Sequence, residues 1–168
     1  MKPWLYGGIG FFALWFQLSV SPHLALFGLK PNFLLLTVLV LGLRWMDRWL
    51  FLYAVGAGLA LDVFSHGMLG LYGLSFFFIA FLARLAGGSI YENTWWITAS
   101  LVFGLSLAEG IFSLTLFEIV AVETPWWSWL FGEVIPVSLY HALLSTLLLI
   151  GVARLEKLAN FPKVTPGP

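Results

Sequence analysis

Six apolar runs fill most of the chain, at residues 4–20, 31–45, 50–66, 68–85, 95–122 and 130–155. Between them lie short stretches rich in charge, proline, glycine or tryptophan. Each run predicts a membrane-crossing helix, so residues 1–155 are read as one six-helix transmembrane domain. Residues 156–168, ending FPKVTPGP, are read as a disordered cytoplasmic tail. Gln17 is the strongly polar member of the first run, and the connection at residues 22–30 is placed at the membrane interface. The second run opens at Pro31, a residue suited to a first helical position because its missing N–H needs no partner there. Its apolar part, residues 33–45, gives a helix of only ~20 Å, against a hydrocarbon core of ~30 Å. A very tight turn at Gly67 separates the third and fourth runs. Gly87, Gly88 and Ser89 break the fourth, and Glu123 to Trp129 are expected to form an interfacial loop.

Composition makes the membrane reading firm. The chain is 61% hydrophobic and 10% charged, whereas a soluble domain carries about 25% charged residues. Net charge is zero, and no basic block offers a surface for nucleic acid. The absence of cysteine excludes disulfides, thiolate catalysis and cysteine metal sites. The first run lacks a small-x-small cleavage site near its end. With the N-terminus inside, Lys2, Arg44, Arg48, Arg84, Arg154, Lys157 and Lys163 fall on the inner side and only Lys30 on the outer. Such a bias predicts that both termini are cytoplasmic.

The candidate chemistry centres on residues 53–74. Ala54, Gly58, Asp62 and His66 are each four apart and share one broad helix face, with small residues that admit a neighbouring helix. Asp62 lies ~18 Å along its helix from Leu50, at a depth where an acid faces protein or water, not lipid. One reading is a proton, ion or ligand site. The other is a carboxyl satisfied by nearby backbone N–H groups or hydroxyls within the bundle, for which Asp62→Asn is expected to be mild. Asp62 and His66, at i and i+4, are half of a metal or acid–base site. Only Glu109 and His141 remain as further ligands, and no spacing brings them together, so no metal is expected. Ser138, His141 and Ser145 form a polar stripe, read as interhelical hydrogen bonding and not as a hydrolase pair. Glu109 is read as a buried acid, and Glu118, Glu123 and Glu133 as solvated near the outer surface. Gly70, Gly73, Gly104 and Ala108 are read as close-packing positions. No phosphate-loop, dinucleotide or zinc-protease motif occurs.

Two stretches carry a family resemblance. Lys30-Pro31-Asn32-Phe33 opens an apolar helix, and Gly58-Leu59-Ala60-Leu61-Asp62 is followed by Ser65, Leu69 and Gly70. This pattern resembles the rod shape-determining MreD family, with His66 standing where the family usually has glycine. The resemblance implies a non-enzymatic scaffold, without cofactor, in the bacterial inner membrane. Such a scaffold binds an MreC-like bitopic partner and works with MreB, a RodA-type glycosyltransferase and its penicillin-binding transpeptidase in cell elongation and peptidoglycan synthesis. It also implies the six-helix fold of the substrate-binding subunits of energy-coupling-factor transporters. Pro31, Asn32, Gly58, Asp62, His66 and Gly70 become the candidate partner-binding or structural residues. The alternative function is a vitamin-binding transporter subunit. Against it, Gly7, Gly8 and Ala13 are followed four residues on by Phe11, Phe12 and Gln17, so the first helix lacks the small-xxx-small docking motif. An intramembrane hydrolase built on Asp62, His66 and His141 ranks last.

Overall fold

In the computed structural model the described residues are 3–25, 28–44, 48–65, 68–87, 95–119 and 125–158. The regular elements among them are helical: α1 (Pro3–Ser19), α2 (Phe33–Arg44), α3 (Trp49–Ser65), α4 (Leu71–Gly87), α5 (Trp95–Ile119), α6 (Trp126–Trp129) and α7 (Ile135–Leu158). A π-helical turn, Leu130–Val134, joins α6 to α7, so the three form one unbroken helical stretch. Trp96–Ile119 and Trp126–Leu148 are long and apolar enough to cross a membrane, while Phe33–Leu43, Trp49–Ser65 and Leu71–Gly87 are shorter apolar helices.

The helix ends depart from the apolar runs for local reasons. Pro31 precedes α2 instead of opening it. Asn32 is the cap: its Oδ1 accepts the Leu35 N–H at 3.0 Å, and its carbonyl accepts the Leu36 N–H at 3.0 Å. An asparagine side chain can satisfy an orphan amide in this way, and a proline cannot. Helix α4 begins at Leu71, because Gly70 takes a φ of 101° that helices do not allow. Trp126, Trp127 and Trp129, expected in a loop, are helical, with the Trp129 N–H donating to the Pro125 carbonyl at 3.1 Å. Residues 156–158, expected in the tail, complete α7. His66, Gly67, Gly88, Ser89, Glu123 and residues 159–168 lie outside the described residues.

Helix α2 is the centre of the assembly, touching α1, α3, α4, α5 and α7. Leu34, Leu35, Leu36, Val38, Leu39, Leu41 and Leu43 are all buried. A helix that is apolar on every side belongs inside a structure. The others present large apolar side chains outward, among them Trp4, Phe11, Leu52, Phe81, Trp96, Phe131 and Leu143.

Small residues set the closest helix contacts. A Cβ on Gly58 would lie 2.6 Å from the Gly73 Cα and overlap the Tyr72 carbonyl, so α3 and α4 meet backbone to backbone. A Cβ on Gly87 would lie 2.8 Å from the Leu43 carbonyl oxygen, locking α4 to α2. Gly104, expected at a packed interface, instead faces open space, and Gly70 serves the turn and not packing. At the start of α3, the Arg84 guanidinium from the end of α4 lies 5.4 Å from the Phe51 ring centre. The Arg48 guanidinium lies 5.4 Å from the Trp49 ring centre.

Candidate functional site

Asp62 is buried at the far end of the α3–α4 pair, where α4 begins. The first N–H groups of a helix have no partner within it. Asp62 supplies one from the neighbouring helix. Its Oδ2 accepts the Gly70 N–H at 2.8 Å and the Gly73 N–H at 3.3 Å, and its Oδ1 accepts the Tyr72 N–H at 3.0 Å. A carboxylate also suits the positive end of the α4 dipole. Gly58, one turn earlier on α3, allows the backbone approach that brings Asp62 within reach. Gly70 turns the chain so that its amide points back at the acid. Three of the candidate residues, Gly58, Asp62 and Gly70, therefore form one unit. His66 lies outside the described residues.

The other two, Pro31 and Asn32, belong to a second group at the start of α2. There the Asn32 N–H donates to His141 Nε2 at 2.8 Å, and the Phe33 N–H donates to Gln17 Oε1 at 2.7 Å. The Ser21 hydroxyl donates to the Pro31 carbonyl at 2.9 Å. His141 reaches onward from α7 to Ser106 on α5, with Nδ1 2.7 Å from Oγ. These contacts tie α1, α2, α5 and α7 together. Sequence reasoning singled out Gln17 and His141 as polar interruptions but did not pair them with the first amides of α2. The unpaired N–H groups that a short helix start must present were the available signal.

The Ser106–His141 pair is not a nucleophile with its base. Nε2 accepts an amide N–H and so carries no proton, which leaves Nδ1 as the protonated nitrogen that donates to Ser106. A base must accept the serine proton, and this nitrogen gives one. Both side chains are buried. Ser138 and Ser145, expected to bond between helices, donate to the Val134 and Ala142 carbonyls of their own helical stretch.

A third polar group joins α4 to α5. The Glu109 carboxyl meets Ser113 on its own helix and Ser75 on α4. Beside it the π turn presses Val134 onto Gly110, where a Cβ would lie 3.1 Å from the Val134 Cγ2. Glu118 is exposed but not free, since it accepts a hydrogen bond from the Trp126 indole N–H. Asp62, Glu109 and His141 do not converge, and no three His, Cys, Asp or Glu side chains among the described residues are placed to hold a metal.

Set against known proteins, residues 1–158 match the family model described as rod shape-determining protein MreD. No curated protein and no solved structure gives a match.

Proposed function

This chain belongs to the MreD family of rod shape-determining proteins, and on that premise we propose that it is a non-enzymatic inner-membrane scaffold of the elongation machinery. It binds a single-span MreC-like partner and, through it, supports peptidoglycan synthesis by a RodA-type glycosyltransferase with its penicillin-binding transpeptidase, coordinated with MreB. Six helices cross the membrane, with both termini in the cytoplasm.

The family match over residues 1–158 carries this reading. Physical features support it. Apolar side chains face outward on α1, α3, α4, α5 and α7, as lipid or partner helices require. Arg48, against the Trp49 ring, and Arg84, against the Phe51 ring, both contact the first turn of α3, at the end assigned to the cytoplasm. The interior polar groups at Asp62 and His141 are engaged with backbone amides and a hydroxyl, which suits a rigid support better than a reaction centre. The groove between α1 and α3, lined by Tyr6, Gly10, Phe11, Leu34, Tyr53 and Ala57, is open and apolar, unlike an enclosed vitamin pocket.

The test is clean deletion of the gene, with co-expression of the protein and a single-span MreC-like protein. Round cells and co-purification in mild detergent are expected. Normal rods with vitamin uptake lost would transfer the protein to the transporter class.

A further inference from the structure

The groove between α1 and α3 opens outward and holds about 350 Å³. Leu34 of α2 lines it from the core side, and its walls run from Tyr6 to Leu14 on α1 and from Trp49 to Ala60 on α3. Gly56 keeps it hollow, since a Cβ there would meet nothing within 4 Å. The lining is apolar, and the Tyr53 hydroxyl is taken up by Thr37 Oγ1 at 2.5 Å. Whatever lies along this length must therefore be apolar too.

The length and the charge at one end narrow the occupant. From Trp49 to Ala60 the helix rises ~16 Å, about half of the ~30 Å hydrocarbon core. That is the depth of one leaflet. A crossing helix would need a track of the full depth, whereas an acyl chain needs one leaflet. At the Trp49 end Arg48 is exposed, with its guanidinium 5.4 Å from the centre of the Trp49 ring. Contact with a ring leaves guanidinium N–H donors for an anion, and no carboxylate pairs with Arg48 among the described residues. A guanidinium takes a phosphate through two parallel hydrogen bonds. An apolar track one leaflet long, with a cation at its rim, is complementary to an anionic lipid.

We propose that this groove binds an anionic phospholipid of the inner leaflet, with an acyl chain along α1 and α3 and the phosphate held by Arg48. The inference rests on the reading that puts the start of α3 at the cytoplasmic side, and on no other part of the scaffold proposal. The bound chain fills the space beside the central helix α2 and joins α1 to α3 through a lipid of defined headgroup charge.

Native mass spectrometry of the full-length protein, purified with equal amounts of phosphatidylglycerol and phosphatidylethanolamine, tests it. The parent is expected to retain phosphatidylglycerol in preference. Gly56→Leu and Gly7→Leu fill the groove from positions where a Cβ meets nothing, and each should lose the lipid. Gly104→Leu, equally open but on α5, should keep it. Arg48→Gln should still hold a lipid but lower the preference for phosphatidylglycerol by about fivefold, the effect of one basic residue at an anionic surface. A parent without lipid, equal retention of the two lipids, or undiminished retention in both filled variants would overturn the proposal. So would filled variants that keep the lipid but lose a co-expressed single-span protein or their self-association, because the groove would then seat a helix. Retention is read on purified protein and does not depend on sidedness. Thiol labelling of Arg48→Cys in intact cells would therefore refute the orientation, and loss of lipid binding the groove.

Discussion

Asp62 uses both carboxylate oxygens, and that decides what its substitutions do. Asn retains one oxygen and places an NH2 where the other stood, facing an N–H donor from α4. Asp62→Asn should therefore lose about 1–3 kcal/mol, and Asp62→Leu more, since Leu strands all three amides. Thermal midpoints in detergent should rank parent, Asn, Leu; an Asn variant as stable as the parent would contradict this. The mild outcome expected from sequence rested on the one acceptor oxygen that Asn keeps, whereas the structure uses both carboxylate oxygens, for three amides. Gly58→Ala forces a methyl into the backbone at Tyr72 and Gly73, and overpacking of this kind costs roughly 1–3 kcal/mol. Gly104→Ala meets open space and should leave the midpoint unchanged. The pairing of a small residue with an acid one turn away was legible at Gly58 and Asp62. Gly104 was misjudged because a small residue looks the same in sequence whether it faces a helix or the outside.

At the scale of the element, α2 shows what hydropathy conveys and what it omits. The apolar run located the helix; its start was decided by the Asn32 side chain and by residues from three other helices. Its shortness has a cause as well. Backbone outside a helix needs partners for its polar groups, and Gln17, Ser21 and His141 supply them at the start of α2. Asn32→Ala should cost about 0.5–2 kcal/mol as a lost cap. His141→Leu should cost about 1–3 kcal/mol by leaving the Asn32 amide and Ser106 unpaired. Residues sharing a network are not additive, so the double variant should lose measurably less than the sum. Additive losses in detergent melting would show that the two act separately. The partner of His141 was hidden in the sequence because 109 residues intervene. The start of α6 was hidden because tryptophan suits an interfacial loop and a helix alike.

For the whole molecule, the apolar runs conveyed the number of helical stretches among the described residues and the family resemblance conveyed their kin, but neither conveyed their arrangement. Nothing in the leucine-rich pattern of α2 distinguishes it from α3, yet α2 is surrounded and α3 shows Leu52, Val63 and Phe64 to the outside. The motifs behind the resemblance covered residues 30–74, while the match extends over 1–158. A chain without native cysteine allows orientation to be read directly by thiol labelling. A membrane-impermeant thiol reagent should label Leu69→Cys and Ser128→Cys from outside the cell, and Arg48→Cys only after the cells are opened. Labelling of Arg48→Cys in intact cells would invert or dismantle the six-span arrangement.

The bond from Asn32 to His141 also bears on how the protein is made. Translation delivers the second helix long before the seventh, so the amide that opens α2 waits for its acceptor until nearly the whole chain has left the ribosome. An arrested or truncated product ending before His141 holds the central helix without its last fastening. Quality-control proteases should recognise such a product as unfinished, which makes the arrival of one late imidazole the event that separates a completed molecule from a discarded one.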